Sequence, residues 1–85
     1  MEKRLIVLIH PFLAYQEIKI YEGKEETLTF TSALPELAHT IEALCDKYQI
    51  EDVVLGGMGK YAHKVADQIT SCHYSTNAIK VSVIS

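Results

Sequence analysis

The chain has 85 residues, of which 48% are hydrophobic, and its formal net charge at pH 7 is −3. This length predicts a single domain, residues 1–85, and the apolar content excludes a disordered chain. The mildly acidic charge argues against a nucleic-acid-binding protein, which usually carries a basic surface. A generous apolar content in so small a domain instead predicts a homo-oligomer or a permanent protein partner.

The sequence predicts neither a membrane span nor a secretion signal. Its longest apolar stretch, residues 5–9, is far below the ~20 residues that a membrane-spanning helix needs. Lys3 and Arg4 precede this stretch as in a signal peptide, but the stretch is too short and no cleavage site follows. Cys45 and Cys72 have no paired-thiol spacing and are predicted to be reduced packing residues on helices. We therefore expect a cytoplasmic protein.

The first part of the chain predicts three strands. Residues 4–10 (RLIVLIH) form a continuous apolar run, and its lack of alternation predicts a central strand with both faces covered. Residues 15–21 alternate between apolar and polar side chains, as a half-buried strand does. After a turn at residues 22–24, the alternation returns over residues 26–31. These segments are expected to form an antiparallel meander.

A helix and a fourth strand follow. Pro35, with Glu36 close behind it, favours the first turn of a helix. Apolar residues at three-four spacing continue this helix to about residues 47–49. Residues 52–55 are short and apolar, and they predict the next strand.

The last part of the chain predicts a second helix and a fifth strand. The glycine-rich segment at residues 56–59 is predicted to turn the chain into a helix over about residues 60–71. A loop is expected at residues 75–78. Residues 79–84 alternate again and predict the last strand.

The element order is therefore β-β-β-α-β-α-β. Right-handed crossovers would place the first, fourth and fifth strands parallel, with the meander antiparallel on the other side of the first strand. The predicted fold is α/β, a five-stranded mixed sheet in the order 3-2-1-4-5 with two helices on one face. This order resembles the core of the ribonuclease H-like fold over nearly the whole chain.

The segment VVLGGMGKY, which continues as AHKV, is also similar to a strand-glycine-helix segment in one half of an actin-like or Hsp70-like ATPase domain. That resemblance implies that Gly56, Gly57 and Lys60 lie near a nucleotide. Both families rely on carboxylates that handle metal ions. Here residues 5–9 contain no acid, the fourth strand ends in two glycines, and His10 lies where the ATPases have an aspartate. We therefore predict no enzymatic activity.

A glycine-rich segment before a helix can bind an anion through free backbone N–H groups. On this hypothesis Gly56, Gly57, Gly59 and Lys60 bind a nucleotide or another phosphorylated metabolite, with His10 at the neighbouring strand end. The glycine spacing matches neither a Walker loop nor a dinucleotide fingerprint. The competing interpretation is structural, because glycines also permit a tight turn and a close approach of helix and sheet.

No other chemistry is predicted from the sequence. The histidines and cysteines do not have the spacing of a metal site. The serines and cysteines lack an obvious base to activate them. We expect neither a metal ion nor a cofactor.

Two helices can cover only one face of the predicted sheet. The apolar residues expected to face them are Leu5, Val7, Ile9, Ile18, Ile20, Leu28, Phe30, Val53, Leu55, Ile79, Val81 and Val83. The predicted interface on the other face consists of Ile6, Leu8, Tyr21, Val54 and Ile84. An apolar centre with a polar rim is typical of an interface, although scattered exposed aliphatic side chains are common. The edge of the last strand offers a second route of association.

The sequence thus favours a non-enzymatic regulatory or accessory module of the phage or mobile-element type. It would act by binding an unidentified protein partner and by forming a homodimer. The alternative is a small-ligand binding protein that uses residues 56–60. A divergent enzyme is the third interpretation.

Overall fold

A computed structural model of the chain describes residues 2–57, 59–70 and 79–84. The elements within them are β1 (Lys3–Ile9), β2 (Tyr15–Glu22), β3 (Glu25–Ala33), α1 (Leu37–Tyr48), β4 (Asp52–Gly57), α2 (Gly59–Thr70) and β5 (Lys80–Ile84). The predicted order of elements is confirmed. The predicted loop at residues 75–78, the predicted helix end at Ser71 and the predicted packing residue Cys72 lie outside the described residues.

The five strands form one mixed sheet in the order β3-β2-β1-β4-β5. β1 is central, since it pairs with β2 antiparallel and with β4 parallel. β5 pairs with β4 in parallel at one edge. The predicted α/β topology is therefore confirmed, and the carboxyl ends of β1, β4 and β5 meet at one edge of the sheet.

Flanking residues explain where α1 begins and ends. A single 3-10 turn, Leu34–Glu36, precedes the helix, and Pro35 fits this turn because it has no N–H group to leave unpaired. At the other end Gln49 adopts a left-handed conformation with a φ of 56°. The Ile50 N–H then donates to the carbonyl oxygen of Cys45 at 2.9 Å, which is a common way to end a helix.

The core lies between the two helices and one face of the sheet. Its buried residues form a single cluster that includes Leu5, Val7, Ile9, Ile18, Ile20, Val53 and Leu55 from the sheet and Leu37, Ile41, Leu44, Ala62, Val65 and Ile69 from the helices. Full burial of one such side chain contributes roughly 1.5–3 kcal/mol. This cluster therefore supplies most of the stabilisation of a small domain, and both helices lie on the same side of the sheet.

The opposite face of the sheet, here called the open face, is not covered by either helix. In β1, Leu5, Val7 and Ile9 are fully buried, whereas Ile6 is half-buried and Leu8 is 59% exposed. The prediction that β1 is covered on both faces is therefore wrong for the single chain, because both helices pack on the same side.

The edge strand β3 is less buried than the sequence predicted. Leu28 pairs with the buried Ile20 and shares its face, but it is 37% exposed because β3 has a neighbouring strand on one side only. The register shifts between Ile20 and Tyr21, and Thr27 is the extra residue opposite them. The Thr27 hydroxyl donates to the Ile20 carbonyl oxygen at 3.1 Å. Such a bulge makes an edge strand a poor template for another chain.

Candidate functional site

The two glycines at the end of β4 belong to the strand. β4 extends through Gly57, and its last two residues, Gly56 and Gly57, pair with Leu8 and Ile9 of β1. The turn predicted over residues 56–59 is therefore wrong for Gly56 and Gly57, and residue 58 lies outside the described residues.

Close packing against β1 requires a glycine at position 57. Gly57 has a φ of 110°, a conformation that other residues rarely adopt. A Cβ atom there would collide with the Ile9 carbonyl oxygen and would lie 2.8 Å from the Ile9 nitrogen. At Gly56 a Cβ atom would lie 2.9 Å from Cδ2 of Leu8. Strand packing thus accounts for Gly57 without a ligand, whereas a small shift of the exposed Leu8 side chain would admit a Cβ atom at Gly56.

The remaining residues of the predicted ligand site lie near the same edge of the sheet. His10 directly follows β1, and the pairing of Ile9 with Gly57 places His10 beside the end of β4. Gly59 is the first residue of α2. The exposed side chain of Lys60 leans towards Tyr61, with its Nζ 5.9 Å from the centre of the ring. The structure therefore brings His10 and Gly57 together and directs Lys60 towards its own helix.

A turn braced by Gln16 connects β1 to β2. The Gln16 side chain is 1% exposed. Its Oε1 accepts a hydrogen bond from the His10 backbone N–H at 2.7 Å, and its Nε2 donates to the carbonyl oxygens of His10 at 2.9 Å and Leu13 at 3.1 Å. The Leu13 N–H also donates to the His10 carbonyl oxygen at 3.0 Å. Gln16 is not among the residues predicted from the sequence, although its alternation with Ile18 and Ile20 places it on the inward side of β2.

The register of the sheet arranges the side chains of the open face in rows across the strands. The row near the amino ends of β1 and β4 is polar and consists of Glu26, Tyr21, Arg4, Asp52 and Lys80. The next row is mixed and consists of Thr29, Lys19, Ile6, Val54 and Ser82. The third row includes Leu8, Gly56 and Ile84. Apolar side chains therefore gather towards the carboxyl ends of the parallel strands.

These apolar side chains form one surface with the turn after β1. We name it the open-face patch, and it consists of Ile6, Leu8, Leu13, Tyr15, Val54 and Ile84. Four of its members, Leu8, Leu13, Tyr15 and Ile84, are each more than half exposed. Four of the five predicted interface residues belong to the patch, and the fifth, Tyr21, lies in the polar row of the same face. The alternation of residues 15, 17, 19 and 21 could have identified Tyr15, whereas the turn residue Leu13 carries no such signal.

A depression of about 220 Å³ lies on the open face between β1, β2 and the turn. Its lining consists of Ile6, Leu8, His10, Leu13, Tyr15, Gln16, Glu17, Lys19 and Tyr21. Most of the open-face patch therefore borders one concave site.

A larger groove of about 780 Å³ lies at the amino ends of the parallel strands. Its lining is mostly polar, and three of its charged residues, Lys3, Arg4 and Asp52, already have partners. The Arg4 Nε lies 2.8 Å from a carboxylate oxygen of Asp52, and the Lys3 Nζ donates to the Tyr48 carbonyl oxygen at 3.2 Å. The other charged residues of the lining, Glu2, Glu51 and Lys80, are of mixed sign, so the groove favours neither an anion nor a cation.

Metal and nucleophile chemistry find no support in the described residues. Among them, no group of three or more His, Cys, Asp and Glu side chains could hold a metal ion. Burial, and secondarily the charge of Glu42, raises the pKa of the Cys45 thiol from 9.0 to about 12. The thiol is therefore protonated at neutral pH and is a poor nucleophile.

No model of a known protein family matches the sequence, and no curated protein matches it either. In the part of the chain that the structure describes, neither helix is long and apolar enough to cross a membrane. A functional proposal for this chain therefore rests on its fold and on the open face.

Proposed function

We propose that this protein is a non-enzymatic binding module that self-associates through the open face of its sheet. The observation that carries the proposal is the contrast within β1. Its sequence is almost uniformly apolar, as in strands with both faces covered, yet Leu8 remains largely exposed. A second molecule supplies the cover that the chain itself lacks.

The open-face patch has the composition of an interface. Aliphatic and aromatic side chains lie together, and charged side chains surround them, as in the core and rim of protein interfaces. Apolar surface left in water costs roughly 25 cal/mol per Å² relative to its burial. Association on this face removes that cost from both copies.

The topology is the one that the ribonuclease H-like resemblance implies. The residues that nucleases of this fold use for catalysis are missing from this chain, and their absence supports a module without catalysis. Nucleases of that fold family need acidic residues on the first strand and near the end of the fourth. In this chain β1 contains no acidic residue, and β4 ends in Gly56 and Gly57. The module therefore uses a ribonuclease H-like scaffold for binding, in an accessory or regulatory role.

The variant Leu8→Lys tests the proposed face. Leu8 is exposed, so lysine does not disturb the core, but its charge at the centre of the patch opposes association. Light scattering should give the mass of two chains for the wild type and of one chain for Leu8→Lys. Leu28→Lys is the matched control, because Leu28 is a partly exposed leucine on the opposite face, and this variant should remain dimeric.

Two outcomes would contradict the proposal. A dimeric Leu8→Lys protein would move the interface to another surface, such as the edge of β5. A monomeric wild type that captures no partner in a pull-down would remove the binding function itself.

The alternative function is binding of a nucleotide or another phosphorylated metabolite at residues 56–60. The proximity of His10 and Gly57 favours it, because open α/β sheets bind ligands at the carboxyl edge of their parallel strands. Thermal stabilisation by a panel of nucleotides and phosphates that is lost in Lys60→Ala would support this alternative. Variants of Gly57 cannot serve as the test, because any Cβ atom there collides with β1.

A further inference from the structure

Phe12 lies in the braced turn and is 89% exposed. The turn that carries it is held by the buried Gln16 side chain and by the hydrogen bond from Leu13 to His10. Because the turn is preorganised, its backbone loses little conformational freedom when the side chain binds. Aromatic anchors that enter a pocket on the partner often supply much of the binding energy of an interface.

The depression of the open face lies beside this turn. Leu13 lines the depression, but Phe12, the residue just before it, does not. An apolar cavity of ~150 Å³ is enough to hold benzene, so a depression of about 220 Å³ has room for one phenyl ring. Ile6, Leu8 and Tyr21 provide apolar and aromatic surface for such a ring.

We propose that Phe12 of one copy inserts into the depression of a second copy, and that the Phe12 of the second copy inserts into the depression of the first. Phe12 directly precedes Leu13, which lines the depression, so a two-fold axis beside the turn makes both insertions at once. This inference rests on the proposed self-association through the open face, and it names the contact that holds the dimer together.

The charges of the open face fit a second copy of the chain. They consist of three cations, Arg4, Lys19 and Lys80, and three anions, Glu17, Glu26 and Asp52. Two opposite pairs are in contact, Arg4 with Asp52 at 2.8 Å and Lys19 with Glu26 at 3.6 Å. The net charge of these six residues is therefore zero, although the formal net charge of the whole chain is −3. Two copies meet here without net repulsion, whereas a strongly acidic or basic partner finds no complementary potential.

The open face has the area of a small interface. Its five strands are five to nine residues long, and strands lie about 4.8 Å apart and rise about 3.3 Å per residue. The face therefore measures roughly 20 Å by 25 Å, or about 500 Å². Two copies that cover it bury about 1,000 Å² in total, the lower limit for a specific interface.

The variant Phe12→Ala tests the insertion. Phe12 is outside the core, so the fold should persist, as circular dichroism would verify. Sedimentation equilibrium should show a dimer Kd at least about 30-fold higher than that of the wild type, as for loss of an anchor residue. The matched control Leu28→Ala removes an apolar side chain from the other face, and its dimer Kd should equal that of the wild type.

A mixing experiment tests whether the ring enters the depression of the other copy. Phe12→Ala lacks the ring but keeps the depression, and Leu8→Glu keeps the ring but places a charge in the depression. Neither homodimer contains an intact insertion, whereas the heterodimer contains one. Fluorescence energy transfer between labelled variants should therefore show that Phe12→Ala binds Leu8→Glu more tightly than it binds the double variant Leu8→Glu/Phe12→Ala, which carries the same charge but lacks the ring.

The outcomes separate the insertion from the broader function. An unchanged Kd for Phe12→Ala, or equal binding of Phe12→Ala to Leu8→Glu and to the double variant, overturns the insertion. If Leu8→Lys separates the chains while Phe12→Ala does not, the proposed function stands and only the insertion is removed. A wild type that remains monomeric overturns both the insertion and the self-association on which it rests.

Discussion

Burial in the core controls the acid-base chemistry of Cys45. The folded chain raises the pKa of this thiol from 9.0 to about 12, chiefly because the thiolate would lose its hydration. Above pH 9 the unfolded chain releases the thiol proton, whereas the folded chain keeps it until about pH 12. The stability that comes from the neutral thiol is therefore complete below pH 9, and it is lost progressively as the pH rises from 9 to 12.

This pH dependence can be measured in Cys72→Ser, which leaves Cys45 as the only thiol of the chain. Between pH 8 and pH 10 its free energy of unfolding should fall by about 1.4 kcal/mol more than that of the double variant Cys72→Ser/Cys45→Ala. Urea denaturation at both pH values provides the comparison. Equal pH dependence in the two proteins would show that the folded chain does not hold the thiol neutral.

Gly57 and Gln16 show why single residues were harder to interpret than patterns. A pair of glycines fits a turn, an anion site or a closely packed strand, and only the neighbouring backbone of Ile9 selects the third. Gln16 is a polar residue at an inward position, and its partners are carbonyl oxygens of a turn. Neither set of partners can be deduced from spacing along the sequence, because both arise when the chain folds back on itself.

Among the elements, the apolar pattern predicted the strands and helices to within two residues of their observed bounds, apart from the end of α2, where the predicted last residue lies outside the described residues. Periods of two and of three to four residues are local properties, so the sequence displays them directly. The largest error in a parallel strand was at the end of β4, where glycine suggested a turn and pairing with β1 extended the strand instead. The turn after β1 was not predicted in detail, because one buried side chain organises it.

Replacement of Gln16 by leucine should destabilise this turn. The change keeps the side chain buried but leaves the His10 N–H and the carbonyl oxygens of His10 and Leu13 without these hydrogen bonds. We expect a loss of about 2–3 kcal/mol in the free energy of unfolding, typical of unsatisfied groups that are partly buried. Urea denaturation in the Leu8→Lys background measures this loss without a contribution from association.

Thr70→Val is a suitable control for the Gln16 variant. The Thr70 hydroxyl also contacts two backbone carbonyl oxygens, those of Ala66 and Asp67, but it is exposed to water. Its replacement should change the free energy of unfolding by less than about 0.5 kcal/mol. A similarly small change for Gln16→Leu would mean that the turn does not depend on its buried amide.

At the scale of the molecule, right-handed connections and strand patterns were sufficient to predict the sheet order, which the structure confirms. The prediction that β1 is buried on both of its faces was wrong for the single chain. Its apolar sequence indicates two covered faces, but the two α-helices among the described residues both pack on one side. The sequence of a strand records the environment in which it functions, and that environment can include another molecule.

If a second copy of the chain covers the open face, folding and association are linked. The thermal midpoint should then depend on protein concentration. For a dimer well above its Kd, hundredfold dilution removes about 1.4 kcal/mol of stability per chain. For a domain of this size that corresponds to a decrease in Tm of roughly 5–10 °C. Leu28→Lys should retain this dependence, whereas the monomeric Leu8→Lys should melt at one temperature throughout. A wild-type Tm that stays constant over the same dilution, measured by calorimetry and circular dichroism, would show that β1 is stable with one face in water.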